Sequence, residues 1–406
     1  MKYEISVKPH LFTINWECGV KINIRNVKDV GERITAEVEI LSTIDRNNEK
    51  LHLTNINLLM PRDLWILSKS IQRKFPLGEE VWQSILEKSF ILAIESWREG
   101  TPVTDIGRLE DIKEVNYLIY PLIAECQPTL IYGEGGSSKS TLALYTALLI
   151  HGGLNGHGHI VKQNNTLILD WETNVDEIEQ KASRLKYGLD LPYNVYPKYR
   201  RCMLPIKDDI DRIRREVDTH HIKYVVVDSI AAACGGVMKD PDQAIAMFNS
   251  LRTTGCTVLL ISHVSKQNPD SPFGSVYFYN YARSVWELRR TQDVDSNTVN
   301  VALFHRKCNF DKLHKPVGFT ITYDKEFIRV EKGEVEEIDK FKKAIPPSSR
   351  LLYLLKQKSF LSTKEVSAEL EISVDYARVL LNRMQEKNQI SKSEDGSWYL
   401  VKDNEH

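Results

Sequence analysis

Residues 20–27 and 34–40 alternate apolar with polar side chains, and 51–58 follows the same rhythm less regularly. A period of two belongs to half-buried strands. Residues 30–32, centred on Gly31, suit a hairpin between the first two, and Pro61 stops the third. The spacing then lengthens. Helices are expected over 62–74 and 79–98, the second carrying Trp82, Ile85, Leu86, Phe90, Ile94 and Trp97. Further on, short apolar runs at 128–132, 166–169 and 257–261, and a nearly continuous one at 221–228, alternate with segments long enough to be helices, among them 142–150 and 242–254. Runs of that kind are strands covered on both faces, so they imply a mostly parallel sheet between helical layers. Residues 297–304 and 316–323 read as closing strands. A charged stretch ending in Pro346-Pro347 reads as a linker. After it come short helices over 350–358, 365–370 and 373–387, the middle one opened by a Ser362/Glu365 capping box. A hairpin over 390–401 turns at Asp395-Gly396.

The expected organisation is therefore an accessory β-then-α domain over 1–100, an α/β domain over 108–332, a linker over 333–349 and a small helical module over 350–402. At 406 residues and 42% hydrophobic content the chain has material for several cores. The net charge of −1 does not advertise a nucleic-acid partner, so any such partner must be held by local patches. Six cysteines lie far apart with no C-x-x-C, which points away from zinc and from a disulfide framework. No apolar run approaches the roughly 18 residues of a membrane span. A cytoplasmic protein without membrane contact is the expectation.

Chemistry enters at Gly133-Glu134-Gly135-Gly136-Ser137-Ser138-Lys139-Ser140-Thr141. A strand precedes it and a helix follows, which is the setting of a phosphate-binding loop. Glycines let backbone N–H groups face an anion, and the helix N-terminus adds partial positive charge. Lys139 is placed to reach the β- and γ-phosphates of ATP, and the Ser140 hydroxyl to ligate Mg²⁺. Ser138 stands where the motif expects glycine, at a position that can demand positive φ.

Three further strand ends carry polar groups. The run 166–169 ends in Asp170-Trp171-Glu172, at the edge where α/β sheets bind ligands. Glu172 is placed to activate the attacking water, with Asp170 as its competitor. The run 221–228 delivers Asp228 to the magnesium shell beside Ser140. The run 257–261 ends in Ser262-His263; His263 can sense the γ-phosphate or be satisfied by backbone. Residues 267–275 form a polar loop. Lys266 before it is a candidate DNA contact. Tyr277, Tyr279 and Tyr281 with Arg283 either stack bases or pack internally. His305-Arg306-Lys307-Cys308-Asn309 reads as a basic turn between strands. It is either solvated or able to carry a cation to a neighbour's phosphate.

The order Gly133…Lys139-Ser140, Glu172, Asp228-Ser229, Ser262-His263, Gly274-Ser275 and Arg306-Lys307 resembles the RecA-like ATPases. Within them it is most similar to the RepA-type and DnaB-type hexameric helicases. The resemblance spans about 115–325. It implies a RecA-like P-loop core, ATP hydrolysis between subunits of a homo-oligomer, with a hexamer expected, and central loops gripping single-stranded DNA. It also assigns Glu172 as base and Lys307 or Arg306 as the trans cation. DnaB-type members carry Lys-x-Arg in that last segment, whereas Asn309 follows Lys307 here. Three helices and a hairpin at 350–402 resemble a winged helix-turn-helix, whose second motif helix would offer Tyr376, Arg378, Asn382 and Arg383 to DNA. Residues 347–406 hold nine basic and nine acidic side chains, so the module equally suits a protein partner. The expected function is a Mg-ATP-dependent DNA motor. The alternative is an ATP-gated DNA-binding recombination, loading or regulatory factor that does not unwind.

Overall fold

The computed structural model describes residues 1–44, 49–101, 103–107, 114–155, 157–192, 194–236, 240–264, 272, 276–293, 295–333, 335, 345–393 and 395–401. The chain divides into two compact units, Met1–Lys113 and Glu114–His406.

The first unit is a five-stranded antiparallel meander in the order β1 (Tyr3–Lys8), β2 (Leu11–Trp16), β3 (Val20–Val30), β4 (Arg33–Ser42) and β5 (Lys50–Asn57). Two helices follow, α1 (Pro61–Gln72) and α2 (Glu79–Glu99). In β4 the expected alternation is complete: Ile34, Ala36, Val38 and Ile40 are buried and their neighbours are not. Those side chains meet Trp82, Ile85, Leu86 and Phe90 of α2 in one core. The first two strands were not foreseen, because Leu11–Trp16 is mostly apolar and Tyr3–Lys8 is almost wholly exposed.

The second unit opens with a two-stranded ribbon, β6 (Tyr117–Ile119) and β7 (Ile123–Ala124), and continues through β8 (Pro128–Gly133), α3 (Lys139–Gly152), β9 (Thr166–Asp170), α4 (Val175–Gly188), β10 (Lys198–Arg201), α5 (Ile206–Thr219), β11 (Tyr224–Asp228), α6 (Ile230–Cys234), α7 (Pro241–Arg252), β12 (Thr257–His263), α8 (Val276–Tyr281), β13 (Ser284–Thr291), β14 (Thr298–Cys308), β15 (Val317–Tyr323) and β16 (Ile328–Gly333). Nine of these strands form one sheet in the order β10-β9-β11-β12-β8-β13-β14-β15-β16. Ladders from β10 to β13 are parallel; those from β13 to β16 are antiparallel. The sheet separates two cores. Ile131, Ile168, Val226 and Ile261 face α3, while Leu130, Leu169, Val227 and Leu260 face the layer of α5 to α7. Burial on both faces is why the strands read as unbroken apolar runs.

One expectation is corrected here. The basic segment 305–309 is not a turn, since β14 runs through Cys308. His305 stacks on Trp286 with centroids 4.0 Å apart, which carries the ladder onward. The tyrosines before β13 belong to a helix packed on α7: Tyr281 stacks on Phe248 at 5.5 Å. Among the described residues no helix is long and apolar enough to cross a membrane.

The chain ends in α9 (Pro347–Lys358), α10 (Thr363–Leu370), α11 (Val374–Glu386), β17 (Ile390–Lys392) and β18 (Trp398–Leu400). A bridge from Leu361 to Trp398 ties the α9–α10 connection to the hairpin. The capping box is formed: Glu365 N–H donates to Ser362 Oγ, and Ser362 N–H to the Glu365 carboxylate. Leu351, Leu355, Val366, Leu381, Met384 and Trp398 make the core of this module.

Candidate active site

The glycine loop leaves β8 between two parallel neighbours, β12 and β13. Gly133 must be glycine: a Cβ there would sit 2.6 Å from the Leu288 carbonyl oxygen. Gly136 has φ +67°. Ser138 has φ 72° and ψ 18°, the left-handed conformation the motif normally gives to glycine. A side chain there costs on the order of 1 kcal/mol. Its hydroxyl is engaged, because Tyr323 Oη, at the end of β15, lies 3.1 Å from Ser138 Oγ and 3.2 Å from Thr141 Oγ1.

Lys139 is 5% exposed and turned into its own loop. Its Nζ donates to Gly133 O at 2.9 Å, Glu134 O at 2.6 Å and Ser137 Oγ at 3.3 Å. Burial holds its pKa down to about 8. Asp228, Glu172 and Glu134 pull the other way, but every hydrogen bond of this desolvated ammonium goes to a neutral oxygen, which leaves it a receptor for an anion.

Asp170 and Glu172 differ in their hydrogen bonds. Asp170 is 3% exposed. One of its oxygens accepts from Glu172 N–H at 2.8 Å and Thr173 N–H at 3.1 Å. The other accepts from the Thr173 hydroxyl and, at 3.3 Å, from Tyr199 Oη. Asp170 therefore fastens the turn that aims Glu172 outward. The Glu172 carboxylate accepts from the Ser229 hydroxyl and stands 4.0 Å from His263 Nε2. Burial lowers the His263 pKa, as does Lys139, against the opposing pull of Glu172.

Asp228, at the end of β11, accepts from Ser140. Burial pushes its pKa up to about 6, helped by Glu172 and Asp170 and resisted by Ser140 and Lys139. Asp228 and Ser140 supply the hard oxygens that Mg²⁺ prefers, and a cation there would relieve the crowding of carboxylates. Among the described residues no three His, Cys, Asp or Glu side chains cluster as a metal site. Such an ion would thus depend on phosphate oxygens for the rest of its shell.

This gives a stability prediction. The Asp228 pKa is raised on folding, so its favourable contribution is present below about pH 4 and lost as pH rises through about 6. At pH 8 the metal-free Asp228→Asn chain should be more stable than wild type by on the order of 2 kcal/mol, and equally stable near pH 4. Thermal melts at the two pH values check this. The same titration should give wild-type turnover an acidic limb near pH 6 at low magnesium.

Lys139, Ser140, Glu172, Asp228 and His263 line one cleft of 330 Å³, with Gly136, Ser137, Ser138, Thr141 and Ile261. Lys181 of α4 and Tyr323 of β15 complete it. Arg290 joins from β13, where Nη1 donates to Gly136 O at 2.5 Å. Lys181, Tyr323, Arg290 and the contact of Ser229 were not picked out from sequence. Nothing local marks them: each comes from a strand end or helix turn that the sheet order brings to the loop.

Other candidates lie elsewhere. Arg306 pairs with buried Glu287, its Nε 2.7 Å from Oε2, and Arg289 pairs with the same carboxylate at 2.6 Å. Lys307 Nζ donates to the carbonyls of Tyr279, Asn280 and Ala282 at 2.9, 2.7 and 2.7 Å, closing the end of α8. Neither lines the cleft. Lys307 is paired with Val285, and Val285 with Leu130, three residues before Gly133 on β8. Arg283 is exposed at the start of β13. Arg378 and Arg383 are exposed on α11, Arg378 being 2.9 Å from Asp375. Lys266, Gly274 and Ser275 lie outside the described residues.

Residues 97–269 match a family described as an AAA domain. No curated protein matches the chain. Among solved structures, the KaiC-like protein PH0186 from the archaeon Pyrococcus horikoshii OT3 is 16% identical over 52% of this chain and 93% of its own. The TM-score is 0.38, too low for the superposition to carry weight. The family match covers β8 to β12, the stretch that supplies Lys139, Ser140, Glu172, Asp228 and His263, and so supports a P-loop ATPase core in the central domain.

Proposed function

We propose that this chain is a Mg-ATP-driven oligomeric DNA motor, a RepA-like helicase or translocase acting on single-stranded DNA. The observation that carries the reading is the meeting of Lys139, Ser140, Glu172, Asp228 and His263 in one cleft at the carboxyl edge of a parallel sheet. In this reading Lys139 holds the β- and γ-phosphates, and Ser140 and Asp228 hold Mg²⁺. Glu172 takes the proton of the attacking water, and His263 reports the γ-phosphate to the segment beyond it. Magnesium would offset the charge of the phosphate oxygens. Arg290 and Tyr323 flank the loop where the rest of the nucleotide would lie.

The DNA part rests on placement. The segments after Asp228 and His263 leave the same sheet edge as the cleft, so a nucleotide-dependent shift at either strand end reaches them directly. Lys266, in the segment after His263, is the proposed contact there, and Arg283, beside Pro128 at the opposite end of β13, is proposed as a second contact away from the cleft. The C-terminal order of helix, bridge, helix, helix and hairpin agrees with a winged helix-turn-helix, with Arg378 and Arg383 exposed on its third helix.

One observation favours the second reading, an ATP-gated recombination, loading or regulatory factor that clamps DNA without unwinding it. Lys307 is committed to three carbonyls and Arg306 to Glu287, so a trans cation would have to be released before it could serve a neighbour.

Strand displacement separates the two. The motor reading expects ATPase stimulated by single-stranded DNA together with directional unwinding; the clamp reading expects stimulation or tight binding without it. In either, Arg378→Glu with Arg383→Glu should weaken duplex binding and flatten the log–log salt dependence by about 2. An unchanged slope would take α11 off DNA and leave it a protein contact.

A further inference from the structure

The first strand of the N-terminal unit is an edge with its apolar face uncovered. Among the described residues, β1 pairs with β2 on one side and with no strand on the other. Ile5 lies opposite Ile14 and Val7 opposite Phe12, so all four share the face that packs toward the helices. Ile14 and Phe12 are 0% and 3% exposed, whereas Ile5 and Val7 are 38% and 52%. The layer that buries β2 does not extend over β1.

Edge strands that stay unpaired are usually blunted by a proline, a bulge or an inward charge. β1 has none of these on its Tyr3, Ile5 and Val7 face, and its ladder with β2 is regular over six residues. Its charges lie on the opposite face, and their spacing selects the occupant. Glu4 and Lys8 flank Ser6 symmetrically. Antiparallel pairing about a two-fold axis through Ser6 sets Glu4 against Lys8 twice, Ile5 against Val7 twice and Ser6 against itself. Pro9, which has no N–H to donate, ends the ladder. Moving the axis by half a residue sets Ile5 against Ser6 and mixes the faces. Moving it to Ile5 sets Lys2 against Lys8, and moving it to Val7 leaves Glu4 opposite His10. Only the axis through Ser6 satisfies both faces.

We propose that β1 is a self-complementary docking edge that pairs with β1 of a second copy about Ser6, joining two five-stranded sheets into one. The contact is small and gains from any other contact that holds two copies together. It requires no nucleotide, so it stands or falls separately from the ATPase reading.

The test uses the full-length chain without nucleotide. Ser6→Cys should form a disulfide-linked dimer under mild oxidation at least about tenfold faster than wild type, whose own six cysteines set the background. Glu4→Cys should not, because its cross-strand neighbour is Lys8. In sedimentation, Glu4→Lys and Lys8→Glu should each weaken self-association by about tenfold, and the double exchange should restore it. Circular dichroism melts should be unchanged, since β1 is the outermost strand. Ser6→Cys linking no faster than Glu4→Cys, or a double exchange no better than either single one, overturns the proposal. A head-to-tail β1–β5 join or a different partner would give that result.

Discussion

Glu172→Gln should bind Mg-ATP within about threefold of wild type and hydrolyse it about 10²- to 10⁴-fold more slowly. Glutamine keeps the length and can still accept from the Ser229 hydroxyl, so the cleft keeps its shape. What it loses is the ability to take a proton. Asp170 cannot substitute, because both of its oxygens are occupied in holding the turn. His263 is near but its basicity is lowered by burial. Single-turnover hydrolysis beside equilibrium binding of a fluorescent ATP analogue reads the two effects separately. Normal turnover would remove Glu172 from the chemistry. Asp170→Asn makes the contrast: it should damage the fold of the turn, and so lower stability as well as rate.

Lys139→Ala should lose nucleotide affinity by about 10²- to 10³-fold, the worth of two charge-assisted hydrogen bonds to phosphate. Two effects on the nucleotide-free fold oppose each other. The carbonyls of Gly133 and Glu134 lose a donor, while a desolvated ammonium is removed from a buried site. The melting temperature should therefore move little, and binding should carry nearly the whole effect. A large fall in melting temperature would instead mean that the lysine chiefly holds its loop together.

The parts of the site that could be read from sequence are those made locally. Gly133 to Thr141 is a continuous motif between a strand and a helix. Glu172, Asp228 and His263 each end an apolar run, so a parallel sheet delivers them to the same edge. Ser138 was legible too: a hydroxyl-bearing residue in a glycine position takes positive φ, and it does so here. Tyr323, Lys181 and Arg290 could not be found that way, because they reach the cleft through sheet order and helix facing. β10 was hidden because Lys198–Arg201 is a short, charged edge with no apolar run. β13 was hidden for a different reason. Its charged Glu287 is buried at the centre of the sheet, where Arg289 and Arg306 neutralise it, so its sequence does not look like an interior strand. That ion cluster also explains why residues 305–308 extend a strand: Arg306 and Lys307 are both satisfied within the fold.

The central claim is that this cleft takes one nucleotide per chain through Lys139 and a magnesium ion through Ser140 and Asp228. Isothermal titration of ATP into the purified full-length chain, with and without magnesium, addresses it most directly. The account predicts one site per chain, strengthened by magnesium in wild type, insensitive to magnesium in Asp228→Asn and absent in Lys139→Ala. No heat of binding with magnesium supplied, or equal binding by wild type and Lys139→Ala, would contradict it.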